Sequence, residues 1–144
     1  MKDYFREGAI SADFIAQSIA KHQTKHNIGA HAIFLGQVRA DEVNGQKVKA
    51  IDYTCYRDMA NKEIDAVKEK AFEKFNLTCA HIYHSLGQVN AGEICLFVFV
   101  SSGHRKESFK ASEYIVEEIK KLAPIFGKEI FEDETHQWKE NKFD

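Results

Sequence analysis

Seven consecutive apolar residues, 94–100 (ICLFVFV), constrain the fold of this chain more than any other segment. A short continuous run rich in Val and Phe is typical of a strand that is buried on both faces. It is far shorter than the roughly 20 apolar residues of a membrane span. The sequence therefore predicts a central strand, and 144 residues suffice to cover it without a disulfide or a metal.

Further apolar segments predict the neighbours of that strand. Residues 30–38 and the alternating residues 48–56 flank the turn-forming pair Asn44-Gly45, so we expect these two strands to pair with each other. A loop containing Gly87 and Asn90-Ala91-Gly92 is predicted to precede the central strand. The remaining predicted strands are residues 78–84, 125–131 and 136–139.

Apolar residues at helical spacing predict three helices, over residues 12–22, 58–75 and 105–122. Ser11 is the expected N-cap of the first, and Pro124 prevents continuation of the third. The expected buried stripe of the third helix is Phe109, Ser112, Val116, Ile119 and Leu122.

The alternation of these elements predicts a single α+β domain over residues 1–144, with three main helices on a mixed or mostly antiparallel sheet. The formal charge is −2, so we expect neither nucleic acid nor a membrane as partner. The N-terminus lacks a signal-peptide core. Cys55, Cys79 and Cys95 form no Cys-x-x-Cys pair, which predicts buried free thiols and a cytoplasmic location.

The histidines do not form a metal-binding pattern in the sequence. His22 and His26 are four residues apart near a predicted helix end, without a third ligand close by. His81 and His84 are three apart in a predicted strand, so their side chains should point to opposite faces. We expect no metal and no other bound cofactor.

The start of the third helix carries cations where anions are favoured. Its first turn follows Ser101-Ser102-Gly103 and contains His104, Arg105 and a lysine. A helix N-terminus has partial positive charge, so each exposed cation costs roughly 0.3–1 kcal/mol there. Two interpretations stay open. The turn is simply solvated, with relief from Glu107, or Gly103 allows close approach and the free N–H groups, His104 and Arg105 hold a phosphate or carboxylate.

Further cations lie elsewhere in the chain. Lys120 and Lys121 end the third helix, where lysines are structural by default because they complement the helix dipole. Lys128 follows in the next strand, and Arg39 follows the strand at residues 30–38. No Ser-His-Asp arrangement, Walker loop or Gly-x-Gly-x-x-Gly motif accompanies them.

Four blocks of the sequence together resemble the large, catalytic subunit of molybdopterin synthase. They are residues 34–39 (FLGQVR), 102–105 (SGHR), 119–129 (IKKLAPIFGKE) and 138–140 (WKE). The resemblance extends over about residues 29–140, in the family's order and spacing. It implies an α/β-hammerhead-like fold.

The resemblance also implies an activity and partners. The family's enzyme is a sulfurtransferase of molybdenum cofactor biosynthesis, which converts cyclic pyranopterin monophosphate to molybdopterin by adding two sulfurs as a dithiolene. Its sulfur donor is the thiocarboxylate on the C-terminal Gly-Gly of a small ubiquitin-like subunit. The large subunit forms a homodimer with one small subunit at each end, which makes a heterotetramer, and needs none of its cysteines.

Site residues follow from the same resemblance. It places substrate binding at Gln37, Arg39, His104, Arg105 and Gly127. It places the first catalytic lysine at Lys120, which would hold the thiocarboxylate and stabilise developing charge.

This chain departs from the family where a tryptophan and a second lysine are usual, because it has Phe126 and Gly127. Either Lys128 reaches into the pocket as the second catalytic lysine, after a backbone adjustment that Gly127 permits, or the enzyme works with one lysine there. The family also often has a lysine at the position of Gln37.

The length of the third helix bears on the site as well. Sixteen residues separate His104 from Lys120, which is roughly 24 Å along a straight helix. One small pocket cannot include both from the same chain, so we predict a composite site in which a second copy contributes His104 and Arg105. The alternative function is a non-catalytic phosphate- or anion-binding module of the same fold.

Overall fold

The computed structural model describes residues 2–140. The strands are β1 (Phe5–Glu7), β2 (Ala30–Gln37), β3 (Glu42–Val43), β4 (Gln46–Cys55), β5 (Cys79–Asn90), β6 (Ile94–Ser102), β7 (Ile125–Phe131) and β8 (His136–Trp138). The helices are α1 (Ala12–His22), α2 (Arg57–Lys74) and α3 (Arg105–Leu122). Three helices and a mostly antiparallel sheet confirm the predicted α+β class. No helix within residues 2–140 is long and apolar enough to cross a membrane.

β6 is an interior strand that is buried on both faces, as predicted, but it lies next to the edge strand β2 and not at the centre of the sheet. The sheet order is β2-β6-β5-β4-β7-β8, with β1 parallel to β5 and β3 antiparallel to β4. Val98 and Val100 pack in the main core under α2 and α3, whereas Phe97 and Phe99 pack against α1 on the other face. Helices on both faces explain why the sequence of β6 is apolar almost throughout.

The predicted pairing of the two strands around Asn44-Gly45 is wrong. The turn exists, with φ values of 52° and 80° at these two residues, but it joins only β3 to β4. β2 pairs with β6, and β4 pairs with β5 and β7. Turn chemistry fixes a local hairpin, whereas the pairing of a long strand depends on which buried strand it can accompany.

The predicted loop is partly wrong, because β5 continues through Gly87 to Asn90 and only a turn at Ala91 and Gly92 precedes β6. Residues 79–84 of β5 pair with β6, and residues 87–90 pair with β4. Gly87 begins the second stretch with φ +81°, a left-handed conformation that glycine adopts without strain. A glycine that suggests a turn in sequence therefore redirects one strand between two partners.

The helices begin and end close to their predicted positions. The Oγ of Ser11 accepts a hydrogen bond from the Phe14 N–H at 3.1 Å, which confirms the N-cap of α1. The bounds of α3 are confirmed, but its predicted buried stripe is partly wrong, since Phe109 is 66% exposed and Leu122 is 51% exposed. The buried residues of α3 are Ser108, Ala111, Ile115, Val116 and Ile119. Small residues on this face allow α3 to lie close to the sheet.

Candidate active site

A cleft of about 750 Å³ opens at one end of the sheet. Its walls come from the end of β2, the last turn of α3, the start of β7 and the residue after β8. Its floor is formed by side chains of β4, β5 and β6, with Tyr53 and His84 at the centre. Segments that are far apart in sequence therefore meet around one cavity of the size that small-molecule sites have.

Four of the residues predicted for the site line this cleft: Gln37, Arg39, Lys120 and Gly127. Arg39 lies at the mouth, where its side chain is 77% exposed and its Nε is 3.3 Å from Asp41 Oδ1. Lys120 is exposed in the last turn of α3. Both cations are thus accessible to a ligand that enters from solvent.

The lining has more positive than negative charge. Its four cations are Arg39, Lys120, Lys121 and Lys139, and its two carboxylates are Asp41 and Glu129. Positive charge in a concave site attracts anions and concentrates them. The cleft therefore favours an anionic ligand, although the chain as a whole has a net charge of −2.

Two polar side chains on the floor have shifted pKa values, which fix their protonation state near neutral pH. Burial lowers the pKa of His84 to about 4, with the nearby Lys120 charge adding, although a hydrogen bond to Ser85 opposes the shift. The Nδ1 of His84 lies 2.8 Å from the Ser85 carbonyl oxygen, so it carries the proton and donates. Burial likewise raises the pKa of Tyr53, with Cys95 and Glu129 adding. Near neutral pH the floor therefore offers a neutral imidazole and a protonated phenol.

Glu129 is the buried acid of the cleft, at 6% exposure. Its Oε1 accepts a hydrogen bond from Gln137 Nε2 at 3.2 Å. Sequence reasoning missed this residue and also missed Tyr53, His84 and Lys139. The alternation of residues 48–56 predicts on which face of its strand Tyr53 lies, but no local pattern in the sequence shows that this face lines a cleft.

Lys128 does not line the cleft. β7 pairs with β4 without interruption from Ile125 to Ile130, so side chains of β7 alternate between faces. Gly127 and Glu129 face the cleft, and Lys128 faces the other way. The backbone adjustment that would turn Lys128 inward is absent from β7.

His104 and Arg105 lie at the opposite end of α3 from Lys120 and do not line the cleft. His104 is the N-cap residue and makes no side-chain capping bond. A Cβ on Gly29 would lie 2.2 Å from the Gly103 carbonyl oxygen, so the chain before β2 packs closely on this turn, whereas a Cβ on Gly103 would meet nothing within 4 Å. The 18 residues of α3 span about 27 Å, so a single copy separates the two sets of cations.

A cluster of His22, Cys79 and His81 lies outside the cleft, with ligand atoms within 4.8 Å of one another. His81 faces this cluster and His84 faces the cleft, as their spacing predicted. Lys25 Nζ is 3.0 Å from Cys79 Sγ. Burial lowers the pKa of His81 to about 4, and the charges of His22 and three lysines add to the shift. These ammonium groups oppose the binding of a divalent cation.

The model of the MoaE protein family matches residues 9–122. The chain belongs to the MoaE family. Its resemblance to the catalytic subunit of molybdopterin synthase, predicted from four sequence blocks, is confirmed.

Other members of the MoaE family match over most of their length. The molybdopterin synthase catalytic subunit of Pyrococcus abyssi is 37% identical over 126 residues, which are 88% of this chain and 84% of that protein. The crystal structure of molybdopterin synthase from Staphylococcus aureus matches with a TM-score of 0.82 and 30% identity, over 98% of this chain and 99% of that one.

A third match shows the fold. It is the complex of subunits 1 and 2 of the molybdopterin-converting factor from Helicobacter pylori, with a TM-score of 0.80 and 20% identity. It covers 96% of this chain and 90% of that one.

Proposed function

We propose that this chain is the catalytic subunit of a molybdopterin synthase, a sulfurtransferase that converts cyclic pyranopterin monophosphate to molybdopterin. The observation that carries the proposal is the cleft in this member of the MoaE family, which Arg39 and Lys120 line together with His84 and Tyr53. Substrate and sulfur donor are both anionic, and the charge of the cleft matches them.

Lys120 is the proposed catalytic residue. The thiocarboxylate sulfur of a small ubiquitin-like subunit attacks a carbon of the pterin side chain, and the carbon–sulfur bond forms as the bond from that carbon to its oxygen substituent breaks, so that the oxygen leaves with the bonding electron pair. Water then cleaves the bond between sulfur and the acyl carbon, which returns the carrier as a carboxylate. An exposed ammonium at the end of α3 can hold the carrier terminus and stabilise the negative charge that develops on oxygen.

Substrate binding is proposed for Arg39, Gln37 and the backbone at Gly127, all in the cleft. His104 and Arg105 are proposed to clamp the cyclic phosphate together with the N–H groups at the start of α3. A catalytic role for Lys128 stays a prediction, and the direction of its side chain gives it no support.

A second copy of the chain would bring the two sets of cations together. β2 is the edge strand of the sheet, and Ile33 and Leu35 on it are 38% and 41% exposed. A two-fold axis beside this edge would run the two β2 strands in opposite directions. The partner's His104 end would then lie beside the first copy's Gln37 and Arg39, and we propose this composite site.

The sulfur carrier is proposed to dock at the mouth of the cleft. Phe126 and Trp138 line it and are 42% and 60% exposed. Exposed aromatic side chains are typical of protein interfaces. One carrier at each end of the homodimer gives the proposed heterotetramer.

The proposed setting is the cytoplasm, and the proposed organisation is one domain over residues 1–144. All three cysteines are free, and two of them, Cys79 and Cys95, are buried, as suits a reducing compartment.

A non-catalytic anion-binding module is the second candidate, because Gly127 removes a lysine that the family usually has. Incubation of the chain with thiocarboxylated small subunit and pterin precursor decides between the two. We expect dithiolene product from the wild type, and a loss of turnover of roughly 100-fold in Lys120→Ala, with precursor binding retained. The control is Lys47→Ala, an exposed lysine outside the cleft. Precursor binding without product from the wild type would favour the module.

A further inference from the structure

Position 127 of β7 has a cross-strand neighbour in the residue that follows β8. The register pairs Lys128 with Trp138 and Glu129 with Gln137. The next pair in this register is Gly127 with Lys139, and the Lys139 N–H donates to the Gly127 carbonyl oxygen at 2.8 Å. Directly opposite residues of antiparallel strands project their side chains to the same face. Lys139 therefore projects to the face of the sheet on which Gly127 lacks a side chain.

That face is the cleft face, because Gly127 pairs with Tyr53 and a Cβ on Gly127 would point at Ile51 and Tyr53, which both line the cavity. Lys128 lies between them in sequence but on the other face. Of Lys128 and Lys139, it is thus Lys139, directly after β8, that reaches the site.

The packing around Gly127 explains why the lysine of this part of the cleft is Lys139, after β8, and not a residue at position 127. A Cβ at position 127 would lie 2.9 Å from Ile51 Cγ2 and 3.3 Å from Tyr53 Cε1. A distance below 3.0 Å to a β-branched, buried side chain requires that side chain to move. A lysine at position 127 would therefore require Ile51 to shift, whereas the exposed Lys139 needs no such change.

We propose that Lys139 acts beside Lys120 as a second functional lysine of the cleft and binds the carboxylate-like terminus of the sulfur carrier. This inference rests on the proposed function. Lys139 is next to the exposed Trp138 at the mouth, where a chain terminus would enter. Lys120 reaches the same cavity from the end of α3. The two ammonium groups therefore approach an entering terminus from different walls.

The role differs from that of Lys120 and can be measured separately. A cation that holds the carrier equally in the ground state and the transition state lowers KM without raising kcat. We expect Lys139→Ala to raise the KM for thiocarboxylated carrier about tenfold, with kcat changed less than threefold. The KM for the pterin precursor should stay within twofold of the wild-type value.

Lys139→Arg and Lys139→Gln keep the length of the side chain and differ in charge, so they separate charge from packing. Arginine should retain a KM near that of the wild type, and glutamine should behave like alanine. Lys47→Ala is the matched control, with unchanged kinetics. Thermal unfolding of each variant checks that β8 stays folded.

The outcomes distinguish this inference from the proposed function. No product from the wild-type chain would overturn the function. Product from the wild type, with the same carrier KM for Lys139→Gln and Lys139→Arg, would overturn the role of Lys139 alone.

Discussion

His84 shows how one buried residue couples the site to stability. It is 7% exposed, its ring packs against Tyr53 with centroids 5.1 Å apart, and its Nδ1 donates to the Ser85 carbonyl. An imidazolium in this place would lose its hydration and lie near the charge of Lys120. The folded chain therefore holds His84 neutral.

The pH dependence of unfolding follows from that state. The pKa of His84 is about 4 in the folded chain and about 6.5 when unfolded, so the unfolded state binds the proton first. This stabilisation is complete above pH 6.5 and is lost as the pH falls to 4, by up to about 3 kcal/mol. We expect urea unfolding of His84→Gln to depend less on pH over this interval than the wild type does.

The control for this measurement is His26→Gln, since His26 is exposed. It should keep the pH dependence of the wild type. Parallel curves for wild type and His84→Gln would contradict the assignment of the shift to His84.

Among the elements, β2 carries the evidence for self-association. Within residues 2–140 it pairs on one side only, with β6. Its exposed Ile33 and Leu35 lie beside an open edge, and Phe109 of α3 is exposed beside the same strand. A long edge strand with apolar side chains tends to pair with another chain. The prediction that Phe109 is buried within one copy is wrong. Its exposed side chain lies beside the open edge of β2, where it suits an interface with a second copy.

Ile33→Lys should therefore convert the homodimer to monomer, because it places a charge at the centre of the proposed contact. Light scattering after size-exclusion chromatography measures the mass. Phe72→Lys is the matched control, with 40% exposure on α2, and should stay dimeric. A dimeric Ile33→Lys would place the interface elsewhere.

In one copy of the chain, His104 and Arg105 lie apart from Arg39 and Lys120. α3 separates His104 from Lys120, and β2 runs alongside from Ala30, which pairs with Ser102, to Gln37 at the cleft. One site that uses both sets must combine two copies.

Subunit mixing tests this arrangement. Arg105→Ala and Lys120→Ala homodimers should each be nearly inactive. Each mixed dimer would have one intact site and one doubly altered site, so random exchange in an equal mixture should recover about one quarter of wild-type activity. Activity that stays at the level of the separate variants would exclude a shared site.

The sequence by itself determined the local structure and the chemistry at hand. Ser11 and Pro124 define where α1 begins and α3 ends, and the apolar run at 94–100 specifies a strand covered on both faces. Arg39 and Lys120 are candidate site residues in the sequence, and both line the cleft. These features depend on side-chain periodicity and on hydrogen bonds within a few residues, so they can be predicted from neighbouring positions.

The tertiary structure alone decided which distant residues meet. In the folded sheet β2 and β4 are not neighbours, and β5 extends past Gly87. His84 lies on the floor of the cleft, and Lys139 lies opposite Gly127. Strand pairing and register bring together residues that lack any local relation in the chain. Their burial, charge and pKa arise from contacts that exist only once the sheet has formed.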